Sequence, residues 1–291
     1  MKSYLNKLGI ALVTPFDKND NIDFISLKKL INNIIINDIN FLVIAGTTGE
    51  SSSISDYEKK KLFEFVSETN NNRLKLIAHI GGNNTNKTIN EIKSIDFDKS
   101  YQALLSVVPY YNIPSQNGIL NHYTKISENS LLPIIIYNVP NRTGINISIE
   151  TIIKLSKIDN IIGIKESCND TQRMYNIINM TEKKFLFFSG DDISSIFSIL
   201  LGADGLISVI GNAYPKLVSN MITKCFENNF IEAIKIYKKL FKINTLISKE
   251  GNPSGIKEIL HHLGICKNIL RLPLTKVSTD LSKEIKSNLI I

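Results

Sequence analysis

Eight short apolar runs separated by segments of helical period predict an α/β fold, a (β/α)8 TIM barrel with a C-terminal helical extension. Three observations carry this expectation. The runs are apolar at successive positions, as parallel strands buried on both faces must be. The segments between them repeat apolar residues at steps of three and four. No Gly-x-Gly-x-x-Gly follows the first run, where Val13-Thr14-Pro15-Phe16 stands, so the competing doubly wound sheet lacks its dinucleotide fingerprint.

The strand candidates are residues 10–13, 41–45, 76–80, 103–108, 133–137, 161–165, 185–188 and 206–210. The first intervening helix is the clearest, with Leu27, Leu30, Ile31, Ile34 and Ile35 on one stripe. Asp56, Asp170 and Asp191 stand where helix N-caps belong. After the eighth run about eighty residues remain, too many for one closing helix. Residues 231–247, 254–263 and 279–288 read as three further helices. The expected organisation is a catalytic barrel over 1–230 and a helical extension over 231–291 packed on it.

With 43% hydrophobic and 21% charged residues, the chain has the composition of a globular protein with a real core. Its net charge of +7 raises the question of nucleic acid. The cations are scattered, however, and the densest run, Lys59-Lys60-Lys61, sits beside Glu58 and Glu64 on an expected solvated helix face. Neither zinc-finger spacing nor a basic stripe with interleaved aromatics occurs, which argues against nucleic-acid binding. Runs such as Ile34-Ile35-Ile36 and Asn70-Asn71-Asn72 point to A/T-rich codons, and we attribute part of the surplus charge to that drift. Cys168, Cys225 and Cys266 form no CxxC, and no signal peptide is legible, so a cytoplasmic location is expected. No apolar stretch approaches the ~18 residues of a membrane span.

In this architecture chemistry sits at the C-terminal strand ends. There stand Gly46-Thr47-Thr48-Gly49-Glu50, Pro109-Tyr110-Tyr111-Asn112, Tyr137-Asn138-Val139-Pro140-Asn141-Arg142, Gly163-Ile164-Lys165-Glu166 and Ser189-Gly190-Asp191-Asp192. Lys165 is the unusual residue. Apolar surroundings disfavour an ammonium ion, and a neutral amine attacks a ketone to form a Schiff base. The ordinary alternative is a lysine paired with Glu166 or reaching solvent. Tyr137, one strand away, could move protons during imine formation, although a lone strand tyrosine is commonly a core residue. Thr47 and Thr48 suit a carboxylate; the alternative is a glycine-rich turn capping the next helix. Arg142 could grip a second carboxylate with its planar fork, or be a surface turn residue. Metal ligation finds no support: His122, His261 and His262 show no ligand spacing, His79 reads as a core histidine, and Asp191-Asp192 reads as a helix cap.

Taken together, the Gly-Thr-Thr-Gly-Glu, Tyr-Asn-Val-Pro-Asn-Arg-Thr-Gly and Ile-Lys-Glu stretches, in this order, are recognisable. From Ala11-Leu12-Val13-Thr14-Pro15-Phe16 to Arg271-Leu272-Pro273-Leu274 the chain resembles the dihydrodipicolinate synthase branch of the pyruvate-dependent class I aldolase/lyase superfamily. The resemblance implies that Lys165 forms an imine with pyruvate and Tyr137 transfers protons. It implies that Thr48 links Tyr137 to Tyr111, a second tyrosine that in the family reaches in from a neighbouring subunit. Thr47 and Thr48 would hold the pyruvate carboxylate, Gly190 and Ile207 would line its pocket, and Arg142 would bind the carboxylate of L-aspartate 4-semialdehyde. The implied product is 4-hydroxy-tetrahydrodipicolinate, on the diaminopimelate route to lysine, with no cofactor or metal.

Arg142 separates this branch from N-acetylneuraminate lyases and 2-keto-3-deoxy-acid aldolases. An intact lysine, tyrosine and threonine set argues against a non-catalytic keto-acid-binding relative. The family also implies a homotetramer of two tight dimers. Its lysine-inhibition site matches Ser52, Asp56, Lys59, Asn83, Lys87 and Tyr110 here; the cations Lys59 and Lys87 lead to an expectation of weak or absent feedback by lysine.

Overall fold

The computed structural model describes residues 5–290. All eight apolar runs contribute strands: β1 (Lys7–Ala11), β2 (Phe41–Ile44), β3 (Lys75–His79), β4 (Tyr101–Val107), β5 (Ile134–Asn138), β6 (Ile161–Glu166), β7 (Leu186–Ser189) and β8 (Gly205–Ser208). They follow one another in chain order around a closed barrel, as predicted. The helices are α1 (Phe24–Ile35), α2 (Asp56–Asn70), α3 (Thr85–Lys93), α4 (Gln116–Glu128), α5 (Pro140–Thr143), α6 (Ile149–Leu155), α7 (Thr171–Met180), α8 (Ser195–Leu200), α9 (Pro215–Phe226), α10 (Phe230–Ser248), α11 (Ser254–His262) and α12 (Thr279–Ser287). The last three are the expected C-terminal helices.

Several boundaries differ from expectation for identifiable reasons. β1 begins three residues early and ends two early, because the Val13 N–H turns away to donate to the Asn212 side chain at 3.0 Å. β8 stops at Ser208, whose hydroxyl accepts from the Gly211 N–H at 2.9 Å and starts a 3₁₀ turn. The N-cap of α2 is Ser55, not Asp56: Ser55 and Glu58 form a reciprocal capping box and leave Asp56 inside the first turn. Asp170 does cap α7, accepting from the Arg173 N–H at 3.0 Å. Asp191 is not the N-cap of α8, which is Ser194; it accepts from the Ser194 N–H at 2.8 Å in the turn before that helix. The lysine run is not wholly solvated. Lys59 is buried on the inward stripe with Leu62, Phe63, Val66 and Asn70, since three consecutive helical residues span about half the circumference and cannot all face water.

The chain divides into two compact units. One is Lys75–Ile207 with residues 5–7; it holds β3 to β7, nearly all of β8, and α3 to α8. β5 and β6 are rich in β-branched residues and mostly buried, as in Ile134-Ile135-Ile136. Tyr123 of α4 is fully buried and satisfies its hydroxyl by donating to the Ser106 carbonyl of β4 at 2.9 Å. His122, beside it, is hydrogen-bonded through Nδ1 to the Thr85 hydroxyl at 2.9 Å, and burial pushes its imidazole down to about 4.

The other unit is Leu8–Leu74 with the chain from Ser208 onward. Asp23 caps α1 by accepting from the Ser26 N–H at 3.0 Å, and Leu27, Leu30, Ile31 and Ile34 are buried along one face. Each such side chain stabilises by roughly 1.5–3 kcal/mol relative to exposure. In the extension, α10 packs on α9, α11 and α12. Arg271 ties this extension to the beginning of the chain: it pairs with Glu58 and lies 4.3 Å over the Phe16 ring. That guanidinium holds the Glu58 carboxyl down at about 2. All three cysteines are free thiols, and no described helix is long and apolar enough to cross a membrane.

Candidate active site

Register builds the centre of the site. Tyr137 of β5 is the direct neighbour of Lys165 of β6, and Lys165 is the direct neighbour of Phe188 of β7. Side chains alternate along a strand, so cross-strand neighbours share a face. Tyr137 and Lys165 are accordingly brought together: Lys165 Nζ lies 4.4 Å from the Tyr137 ring centroid, and both residues are buried. Phe188 pairs with Gly205, two residues before the buried Ile207, which therefore presents its side chain to the same face.

The next residues along each strand, Asn138, Glu166 and Ser189, pair with one another and face the opposite way. This disposes of the ordinary reading of Lys165 as the partner of Glu166. Glu166 accepts from Asn138 Nδ2 at 2.8 and 3.0 Å, from the Arg173 guanidinium at 3.1 and 3.0 Å, and from the Cys168 N–H at 3.1 Å. Burial raises the Glu166 carboxyl, while Arg173 and Asn138 pull it back down. Among the described residues, Lys165 has no carboxylate partner.

Gly190 follows β7 and closes one side. Its N–H donates to the Glu166 carbonyl at 2.7 Å. A Cβ at this position would stand 2.0 Å from Ser167 Oγ and 3.0 Å from Lys165 Cε, so only glycine leaves both side chains in place. Ser167 is a feature that sequence patterning did not single out. It lies two residues after Lys165, on the same face, and its hydroxyl is buried without a hydrogen-bond partner. A small polar residue after a strand carries no periodic signal; only the packing against Gly190 exposes it.

Thr47 and Thr48 lie in the turn after β2, in the other unit. The turn is closed by the Gly49 N–H donating to Gly46 O at 3.0 Å and the Glu50 N–H donating to Thr47 O at 3.1 Å. It does not cap α2, since Ser55 does. Thr48 is buried and its hydroxyl accepts from Asn252 Nδ2 at 3.0 Å. Behind it Glu50, in left-handed backbone conformation, is fully buried against Lys257 of α11. Lys257 also donates to the Ile269 carbonyl at 2.9 Å and sits 4.2 Å over the Phe16 ring. Burial lowers the affinity of the Lys257 amine for its proton, and the Glu50 charge works against this.

Arg142 is exposed on the single turn α5, which Pro140 starts. Tyr111 follows β4; it is 88% exposed, with φ 74°, an uncommon conformation for a tyrosine. His79 is buried with its ring edge-on to Tyr137 at 6.5 Å. The described residues contain no cluster of three or more His, Cys, Asp or Glu placed to hold a metal.

Residues 5–290 match the model of the dihydrodipicolinate synthetase family. The chain is 47% identical over 283 residues to the 4-hydroxy-tetrahydrodipicolinate synthase of Karelsulcia muelleri (strain GWSS), covering 97% of this chain and 95% of that protein. It is similar to the crystal structure of dihydrodipicolinate synthase from Aquifex aeolicus, with a TM-score of 0.93, 33% identity, and coverage of 97% and 96%. It is equally similar to the chloride-inhibited dihydrodipicolinate synthase of Acinetobacter baumannii complexed with pyruvate, with a TM-score of 0.93, 34% identity and 98% of both chains covered. With a buried lysine and tyrosine in register at the strand ends and this likeness along its whole described length, the chain belongs to the dihydrodipicolinate synthetase family.

Proposed function

We propose that this chain condenses pyruvate with L-aspartate 4-semialdehyde through a Schiff base on Lys165, the 4-hydroxy-tetrahydrodipicolinate synthase reaction of diaminopimelate and lysine biosynthesis. The observation that carries this reading is the Tyr137–Lys165 register pair, with no carboxylate of the described residues paired with the amine. The neutral amine is the nucleophile in imine formation, and no carboxylate among the described residues ties Lys165 up in an ion pair.

The Lys165 amine adds to the pyruvate ketone, and water leaves to give a protonated imine. Its positive nitrogen draws electrons from the methyl carbon, which loses a proton and becomes an enamine. That carbon attacks the semialdehyde aldehyde, forming the new carbon–carbon bond and a hydroxyl. The substrate's own amine then adds to the imine carbon and expels Lys165 as the ring closes. Tyr137 moves protons in the imine steps, with Thr48 and Tyr111 completing the relay. Thr47 and Thr48 take the pyruvate carboxylate, while Gly190 and Ile207 shape its binding surface. Arg142 takes the semialdehyde carboxylate as a charge-assisted pair. The exposure and left-handed backbone of Tyr111 suit a residue that serves a neighbouring copy, consistent with a homotetramer of two tight dimers. The free thiols are compatible with the cytoplasm. With cations at Lys59 and Lys87, feedback by lysine should be weak or absent, and strong inhibition at submillimolar lysine would contradict this.

The decisive experiment is borohydride reduction in the presence of pyruvate, followed by peptide mass mapping. A reduced pyruvyl adduct on Lys165 is expected, and an unmodified Lys165 overturns the mechanism. Turnover with aspartate semialdehyde, impaired selectively by Arg142→Ala, is expected; turnover with N-acetylneuraminate instead would assign the chain to the lyases.

A further inference from the structure

We propose that Asn252, in the C-terminal extension, is a positioning residue that orients the Thr48 hydroxyl and so sets the direction of proton transfer through it. The proposal rests on the reading of Thr48 as part of the relay. A threonine hydroxyl has one proton to donate and two lone pairs. Asn252 Nδ2 can only donate, and it stands 3.0 Å from Thr48 Oγ1. With one lone pair taken by the amide, the hydroxyl proton is turned away from Asn252 and is available to an acceptor on the substrate side.

The surroundings hold the segment that carries Asn252 in place. Asn252 lies between α10 and α11. A Cβ on Gly255 would stand 2.4 Å from the Ile247 carbonyl and 2.5 Å from its Cα, so the start of α11 is packed directly on the end of α10. One residue before Gly255, the Ser254 hydroxyl donates to the Thr275 carbonyl at 2.7 Å. Lys257, one turn on, is locked to Glu50, two residues after Thr48. The turn carrying Thr48 and the segment carrying Asn252 are thus joined by a second, charged link. The extension thereby takes a chemical role, supplying the donor that gives the relay its direction. The charged groups nearby in the chain are already engaged: Lys249 with Glu284, Glu250 with the N–H and hydroxyl of Ser278, Lys257 with Glu50, and Glu258 with His262, Asn268 and Ser282.

Two substitutions and one cycle test this. Asn252→Asp keeps the shape but replaces the donor by an acceptor, which would draw the Thr48 proton toward itself. We expect kcat to fall on the order of 10–100-fold, with pyruvate KM moved far less. Part of the loss should return below the pKa of the new carboxyl, where its protonated form donates again. A merely structural role would show no such acid-side recovery. Asn252→Ala should lower kcat in a wild-type background and add nothing on a Thr48→Val background. Multiplicative effects of the two substitutions, or wild-type kcat in both Asn252 variants, overturn the proposal. Borohydride labelling of Lys165 in the wild-type protein separates the two possible failures. If Lys165 does not label, the Schiff-base reaction itself falls; if it labels while the Asn252 variants behave as wild type, only the positioning role falls.

Discussion

Two described lysines, Lys165 and Lys257, are buried against aromatic rings, and their surroundings are opposite. Lys165 lies 4.4 Å from the Tyr137 ring and Lys257 lies 4.2 Å from the Phe16 ring. Lys257 is met by the Glu50 carboxylate and the Ile269 carbonyl. Lys165 has no acid partner among the described residues, because the adjacent Glu166 is turned outward to Arg173 and Asn138. Burial alone therefore does not make a lysine reactive. A buried ammonium met by a carboxylate becomes part of the framework, whereas no described carboxylate ties up the Lys165 amine.

The sharpest way to break this contrast is to remove each amine. Lys165→Ala should abolish the condensation by on the order of 10⁴-fold or more while leaving the melting temperature unchanged or higher, since an unpaired buried amine contributes no stabilising pair. Steady-state turnover beside a thermal melt checks both halves. Lys257→Met should do the reverse, costing about 3–5 kcal/mol in denaturant unfolding, because Glu50 is left buried and alone. Adding Glu50→Gln should return part of that loss. If Lys257→Met proves as stable as the parent, the Glu50–Lys257 pair is not an anchor of the fold.

A third buried base sharpens the contrast without chemistry. His122 is held neutral by burial, near 4, whereas an unfolded histidine titrates near 6.5. On acidification the unfolded chain takes up this proton first, so stability falls between about pH 6.5 and 4, by up to about 3 kcal/mol. Unfolding of His122→Gln should show a flatter dependence over that window, and an unchanged slope would assign the loss to other groups. The smallest expected effect is at Gly190→Ala. Its new methyl would crowd Ser167 and Lys165, and kcat/KM for pyruvate should fall by about 10–100-fold, the scale of an overpacked contact of ~1–3 kcal/mol. Wild-type kcat/KM in that variant would mean the glycine is not required for room at the amine.

Much of this was open to reading along the chain. The eight strands and the three terminal helices carry their own hydrophobic period, which depends only on neighbours a few residues away. Lys165 and Tyr137 stood out because each ends an apolar run. Ser167, Asn252 and the Glu50–Lys257 pair gave no comparable signal. Glu50 and Lys257 are 207 residues apart, and a serine or asparagine in a loop is ordinary until something faces it. The misplaced N-cap at Asp56 has a similar origin: Ser55 and Asp56 are both good caps, and only the reciprocal bond from Glu58 chooses between them.

Periodicity and strand-end composition were thus enough to define the barrel, its extension and the amine at its heart, because those features are written in local spacing. Which buried lysine would be neutralised, which way Glu166 would face, and which amide would meet the Thr48 hydroxyl were matters of register and long-range packing. A one-residue slip of β6 against β5 would turn Lys165 outward and Glu166 inward. That choice belongs to the folded sheet, where neighbouring strands decide which side chains share a face.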